Sequence, residues 1–100
     1  MESRHYTLER TEREKIIEKI GIGKAVATFR INRGHINGPE LHTITTTGII
    51  IIRNERTNQM ITNLIARPKQ IERYFDTKTE TVLKLMEIAR EHQAKGYNEM

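Results

Sequence analysis

The chain contains no cysteine. Neither a disulfide framework nor a thiolate metal site is open to it, and its stability has to come from packing. A reducing, cytoplasmic setting is compatible with that composition. No apolar run approaches the ~18 residues needed to span a bilayer, and the opening M-E-S-R-H-Y-T-L-E-R lacks the apolar segment of roughly 7–15 residues that marks a signal peptide. The sequence is therefore read as neither secreted nor membrane-embedded. It has no acidic cluster, no internal repeat, and no low-complexity tract beyond Thr43–Thr47. His5, His35, His42 and His92 show no H-E-x-x-H or comparable spacing, so no metal and no cofactor is expected. G-I-G-K at residues 21–24 lacks the flanking pattern of a phosphate loop and the Ser or Thr after its lysine, and reads as a helix stop followed by a strand start.

What is present suits one domain, residues 1–100, with a modest two-layer core. Apolar residues make up 36% of the chain and charged residues 30%, the balance of a globular protein with a heavily charged surface. The net charge of +4 is unevenly placed. Residues 1–20 and 77–100 each balance to zero, while Lys24, Arg30, Arg33, Arg53, Arg56, Arg67, Lys69 and Arg73 face only Glu40, Glu55, Glu72 and Asp76. The excess sits on the central, strand-rich segment, where it would serve an anionic partner.

Residues 7–20 combine strong helix formers with apolar Leu8, Ile16, Ile17 and Ile20, which predicts an N-terminal helix stopped by Gly21 and Gly23. Alternation from Lys24 to Asn32 predicts a first strand with Phe29 and Ile31 on its core face. R-G-H-I-N-G-P, residues 33–39, is a surface loop carrying Arg33 and His35 outward. Glu40–Thr46 and Ile49–Asn54 flank a tight turn at Thr47 and Gly48, and the run Ile49–Ile52 reads as a central strand buried on both faces. Asn58 suits the next turn, before a fourth strand from Gln59 to Ala66. Pro68 opens a short helix through Phe75, and Lys78–Lys95 forms a longer one with Val82, Leu85, Met86, Ile88 and Ala89 on its apolar face, ended by Gly96. The predicted fold is α+β: an N-terminal helix, a four-stranded antiparallel meander, and C-terminal helices packed on one face, with the other sheet face open.

The candidate chemistry gathers in residues 40–75. Glu40, His42, Ile44 and Thr46 share one strand face, so His42 is displayed on a rigid surface beside a carboxylate able to orient it. Arg53 ends the third strand, Thr62 lies within the fourth, and Arg67 lies just beyond it. This is a set suited to RNA cleavage without a metal, which needs a base for the 2′-hydroxyl, guanidinium groups for the phosphate, and an acid for the leaving oxygen. On that reading His42 is base or acid, Arg53 and Arg67 clamp the phosphate, and Tyr74 stacks or donates a proton.

H-T-I-T-T-T-G-I-I-I-I-R-N from His42 and T-N-L-I-A-R-P from Thr62, in the order helix, loop, meander and short helix, resemble the barnase/colicin/RelE-type ribonuclease superfamily over roughly residues 5–75. They also resemble small prophage-encoded proteins of unknown function. The resemblance implies a toxin-like ribonuclease whose active residues lie on the exposed face of the sheet. It implies catalytic roles for His42, Arg53 and Thr62 and extends to Arg67 and Tyr74, which join Arg30, Arg33, Arg56 and Lys69 of the basic segment as the expected RNA contacts. No clear glutamate base stands on a neighbouring strand, leaving Glu40 and Glu55. The expected function is thus RNA binding, with metal-independent endoribonuclease activity. The alternative is a non-enzymatic, phage-type inhibitory protein that docks on a nucleic acid or nucleoprotein enzyme. A protein partner, or a homodimer through a strand edge or the C-terminal helix, is the third expectation.

Overall fold

The apolar run in the middle of the chain sets the architecture. Ile49–Asn54 forms an inner strand of a four-stranded sheet, and Ile49 and Ile50, adjacent in sequence and pointing to opposite faces, are both fully buried. The computed structural model describes residues 12–99. Helix α1 spans residues 12–20 and is followed by β1 (Ala25–Ile31), β2 (Glu40–Thr45), β3 (Ile49–Asn54) and β4 (Met60–Ile65). Then come α2 (Pro68–Tyr74), α3 (Glu80–Ala94) and a 3-10 turn at Tyr97–Glu99. The predicted helical residues before Glu12, with Leu8, lie outside the described residues. Among those described, no helix is long and apolar enough to cross a membrane.

The strands pair in chain order, each antiparallel to the next, as the meander requires. Register places Phe29, His42 and Ile52 across from one another, and likewise Ile44, Ile50 and Leu64. These residues share the face covered by the C-terminal helices, where Ile44, Ile50 and Ala66 pack with Ile71 of α2 and Val82, Leu85, Met86 and Ala89 of α3. Thr79 caps α3, its hydroxyl accepting from the Val82 N–H at 3.3 Å. Pro68 occupies the first turn of α2, as its fixed φ favours.

The second face is not left open over β3 and β4. Ile17 of α1, flanked by Ile16 and Ile20, packs onto Ile49, Ile51 and Ile65. The sheet therefore lies between two helical layers, because the run Ile49–Ile52 presents apolar side chains on both sides and each must be buried. On the β1 side of this second face, Thr28 and Arg30 are exposed.

The threonine-rich stretch fastens the layers. The Thr47 hydroxyl donates to the carbonyls of Gly21 and Ile22 at 2.6 and 2.7 Å, and its oxygen lies 3.2 Å from that of Thr45. The Thr45 oxygen in turn accepts the Ile49 N–H at 3.2 Å. The β2–β3 turn is thereby tied to the segment joining α1 to β1. Gly23 lies beneath it at φ +78°, where an added Cβ would stand 2.5 Å from the Thr46 hydroxyl oxygen. The residues read as a helix stop thus also make a close backbone approach.

Candidate functional site

A cleft of about 430 Å³ opens between the helix-covered face of the sheet and α2. Its floor is Ile52, Leu64 and His42, with Thr62 on one side, Tyr74 and Arg73 of α2 on the other, and Arg33 arriving from the β1–β2 loop. His42 is only 3% exposed. Its Nε2 lies 3.0 Å from Oε1 of Glu40, and its Nδ1 lies 2.6 Å from the hydroxyl of Tyr74. An ionised carboxylate only accepts, so Nε2–H donates to Glu40, and in the tautomer that leaves Nδ1 without a proton, Nδ1 accepts from Tyr74. The three groups form one directed chain from Tyr74 to His42 to Glu40.

Packing holds that chain in place. The Tyr74 ring lies 5.3 Å from that of Phe29 and 5.8 Å from the His42 ring, while Phe75 meets Phe29 edge to face at 5.2 Å. Burial raises the pKa of Tyr74 and Glu40 adds to the shift, while the positive charges of Arg33 and Arg73 oppose it. The phenol therefore stays protonated at neutral pH. Linkage follows from the direction of the shift. Below about pH 10, the ordinary tyrosine value, folded and unfolded chains both hold the proton; above it the unfolded chain releases its proton first, so the folded state loses stability as pH rises. Urea midpoints between pH 8 and 11 should fall less in Tyr74→Phe than in wild type, and parallel curves would reject the assignment.

The sequence placed Glu40, His42, Thr62, Arg33 and Tyr74 among the candidates, and the structure brings all five to this cleft. It corrects their setting. His42 and Thr62 lie on the face covered by helices, because His42 opposes Ile52 and Ile52 opposes Thr62. Arg53 opposes Leu41 and so projects from the other face, where its guanidinium donates to Oδ1 of Asn58 at 3.1 Å. The predicted grouping of Arg53 with His42 does not form.

Other expected cations are also engaged elsewhere. Arg30 makes a two-pronged pair with Glu55 at 2.6 and 3.2 Å, whose hydrogen bond chiefly holds that carboxylate below its ordinary range. Arg56 donates to the Ile36 carbonyl at 3.2 Å beside the β1–β2 loop. Lys69 stands exposed on α2. Arg67 is not a clamp of this cleft; it donates to the Asn98 carbonyl at 3.0 Å and lines an adjoining pocket.

Arg73, counted above only in the charge excess, and Gln70, not among the candidates, also belong to the cleft. Gln70, Arg73 and Tyr74 fall at helical spacing i, i+3 and i+4, which puts them on one side of α2, and all three line the cleft. That spacing was the available signal. His92, considered only as a metal ligand, is buried and lies 2.9 Å from the Thr47 carbonyl through Nε2, so it braces α3 against the β2–β3 turn. Among the described residues no three His, Cys, Asp or Glu side chains converge as a metal site. No protein-family model, no curated protein and no solved structure matches this chain.

Proposed function

We propose that the protein is a small RNA-binding protein of the cytoplasm that cleaves RNA without a metal ion, using the cleft above Tyr74, His42 and Glu40. The supporting observation is the directed chain of hydrogen bonds, Tyr74 to His42 to Glu40, opening on a space lined by Arg33 and Arg73. Tyr74 is the group that meets substrate, since His42 lies beneath the surface. The Tyr74 oxygen accepts the proton of a ribose 2′-hydroxyl as its own proton passes to Nδ1 of His42, and Glu40 stabilises the imidazolium that results. The 2′-oxygen attacks the adjacent phosphorus, the bond to the 5′-oxygen breaks, and a 2′,3′-cyclic phosphate forms. The leaving oxygen takes a proton from water, and His42 returns its proton to solvent through Tyr74. Arg33 and Arg73 stabilise the charge that grows on the phosphate.

The test is incubation of purified protein with mixed RNA in EDTA, with the ends of the products identified. Fragments carrying 2′,3′-cyclic phosphate support the reading. Intact RNA would overturn the cleavage step.

A second reading is binding alone, as a nucleic-acid-docking or inhibitory protein. It is favoured by the burial of His42 with both ring nitrogens engaged, which also suits a purely structural brace under a basic cleft. In that case RNA stays intact, and binding weakens as salt rises, through reduced counterion release.

A further inference from the structure

The cleft does not end at α2. A smaller pocket of about 110 Å³ adjoins it, and the two share Leu64 and Gln70 as common walls. Arg13 of α1 and Arg67 line this pocket, together with Tyr97 and Asn98 of the C-terminal turn. Among the described residues no carboxylate lines it, and neither arginine belongs to an ion pair. Arg67 spends one N–H on a neutral carbonyl, that of Asn98. Two arginines from distant parts of the chain thus line one pocket with no carboxylate among the described residues lining it, an arrangement an anion would suit.

The pocket has a fixed frame. Asn98 donates both amide protons to the carbonyls of Ile65 and Ala66, at 3.1 and 2.8 Å, so the C-terminal turn is pinned to the end of β4. The Arg67 guanidinium is held against that turn, and Arg13 lines the same pocket from α1, which the packing of Ile17 with Ile49 and Ile65 sets on the sheet. The site is assembled by three layers of the fold, and no single segment of sequence announces it.

We infer that this pocket is a second phosphate site, which takes the phosphate next along a single RNA strand whose scissile phosphate lies between Arg33 and Arg73. The inference rests on the RNA reading of the larger cleft. It assigns the substrate a direction of travel, from the Tyr74 side past Leu64 and Gln70 toward Tyr97. Planar guanidinium groups suit phosphate oxygens through paired hydrogen bonds, and Tyr97 offers a ring for the intervening base.

The experiment uses 2′-deoxy dinucleotides, which cannot be cleaved by 2′-hydroxyl attack, carrying either one phosphodiester alone or an added phosphate at the 5′ or the 3′ end. Each is titrated by NMR into full-length wild type and an Arg13→Gln/Arg67→Gln double variant. The expected result is that a terminal phosphate at one end raises wild-type affinity about tenfold, while the double variant binds the unphosphorylated dinucleotide normally and gains nothing. The salt slope of log K for the phosphorylated ligand should fall by about 0.7 for each phosphate that the variant no longer neutralises. An equal gain in the double variant, or no gain in wild type, overturns the second site and leaves the cleft standing. Failure of wild type to bind any dinucleotide sinks the cleft reading instead. Inorganic phosphate, titrated alone, then decides the pocket: binding that disappears in the double variant supports an anion site there, and equal binding or none rejects it. A thermal melt checks folding, and Arg13→Gln alone replaces the double variant if that one unfolds.

Discussion

Changing Tyr74 to phenylalanine is expected to lower RNA cleavage by about 10²- to 10⁴-fold, the range for loss of a positioned proton-transfer group. The ring still packs on Phe29, 5.3 Å away in wild type, so the wall of the cleft survives. What is lost is the hydroxyl that donates to Nδ1 of His42 across 2.6 Å. With that donor gone, a buried acceptor is left without its partner, at a cost of about 1–3 kcal/mol in stability. Binding of an uncleavable RNA should change little, because Arg33 and Arg73 remain. Rates are to be measured in EDTA under single-turnover conditions, beside His42→Ala. That second variant removes the acceptor and should lose activity to a similar degree, since the two groups act in one transfer. Full cleavage by Tyr74→Phe would exclude the phenol from the reaction. Full cleavage by His42→Ala with a dead Tyr74→Phe would mean that Tyr74 passes its proton elsewhere.

The second large effect concerns the layer beneath the site. Ile50→Ala should destabilise the protein by about 2–5 kcal/mol, from lost transfer energy together with the cavity left behind. Ile50 has no exposed surface and stands between Ile44 and Leu64 in the sheet, in the cluster that includes Leu85, Met86 and Ala89 of α3. Its sheet neighbours flank it and the C-terminal helices pack over it, so little collapse is available. Against the roughly 5–15 kcal/mol that holds most domains together, such a loss is severe. Urea unfolding of the variant should show a much lower midpoint with an unchanged slope. Ile36→Ala is the control: that side chain is 91% exposed on the β1–β2 loop, and its removal should stay within about 0.5 kcal/mol. Equal effects of the two substitutions would contradict the packing described.

Much of the architecture follows from local pattern. The glycine of the β2–β3 turn has φ +81° at Gly48, Asn58 takes φ +60° in the β3–β4 turn, and Pro68 begins α2, each where the chemistry of the residue is suited to it. The pairing of Glu40 with His42 was likewise legible, because residues two apart on a strand share a face. The run Ile49–Ile52 announced an inner strand, yet the sheet face expected to be open carries α1 over β3 and β4. Apolar residues on both sides of one strand say that two layers are needed without saying which helix supplies each.

The site shows the same division. Alternation assigns His42 and Arg53 to faces once register is known, but the sequence alone grouped them, and the antiparallel register sends Arg53 to the opposite side. Arg73 and Arg33 lie 40 positions apart in the chain and line one cleft only because α2 folds back over the sheet beside the β1–β2 loop. Tyr74 reaches His42 for the same reason. Sequence determined the strands, the turns, the charge excess and the orienting carboxylate, since those depend on neighbours within a few residues. Tertiary structure decided which face is covered, which arginines share a cleft, and that His42 lies nearly buried in its floor with Tyr74 beside it. Those outcomes depend on how separate layers share one core, and no local spacing records that.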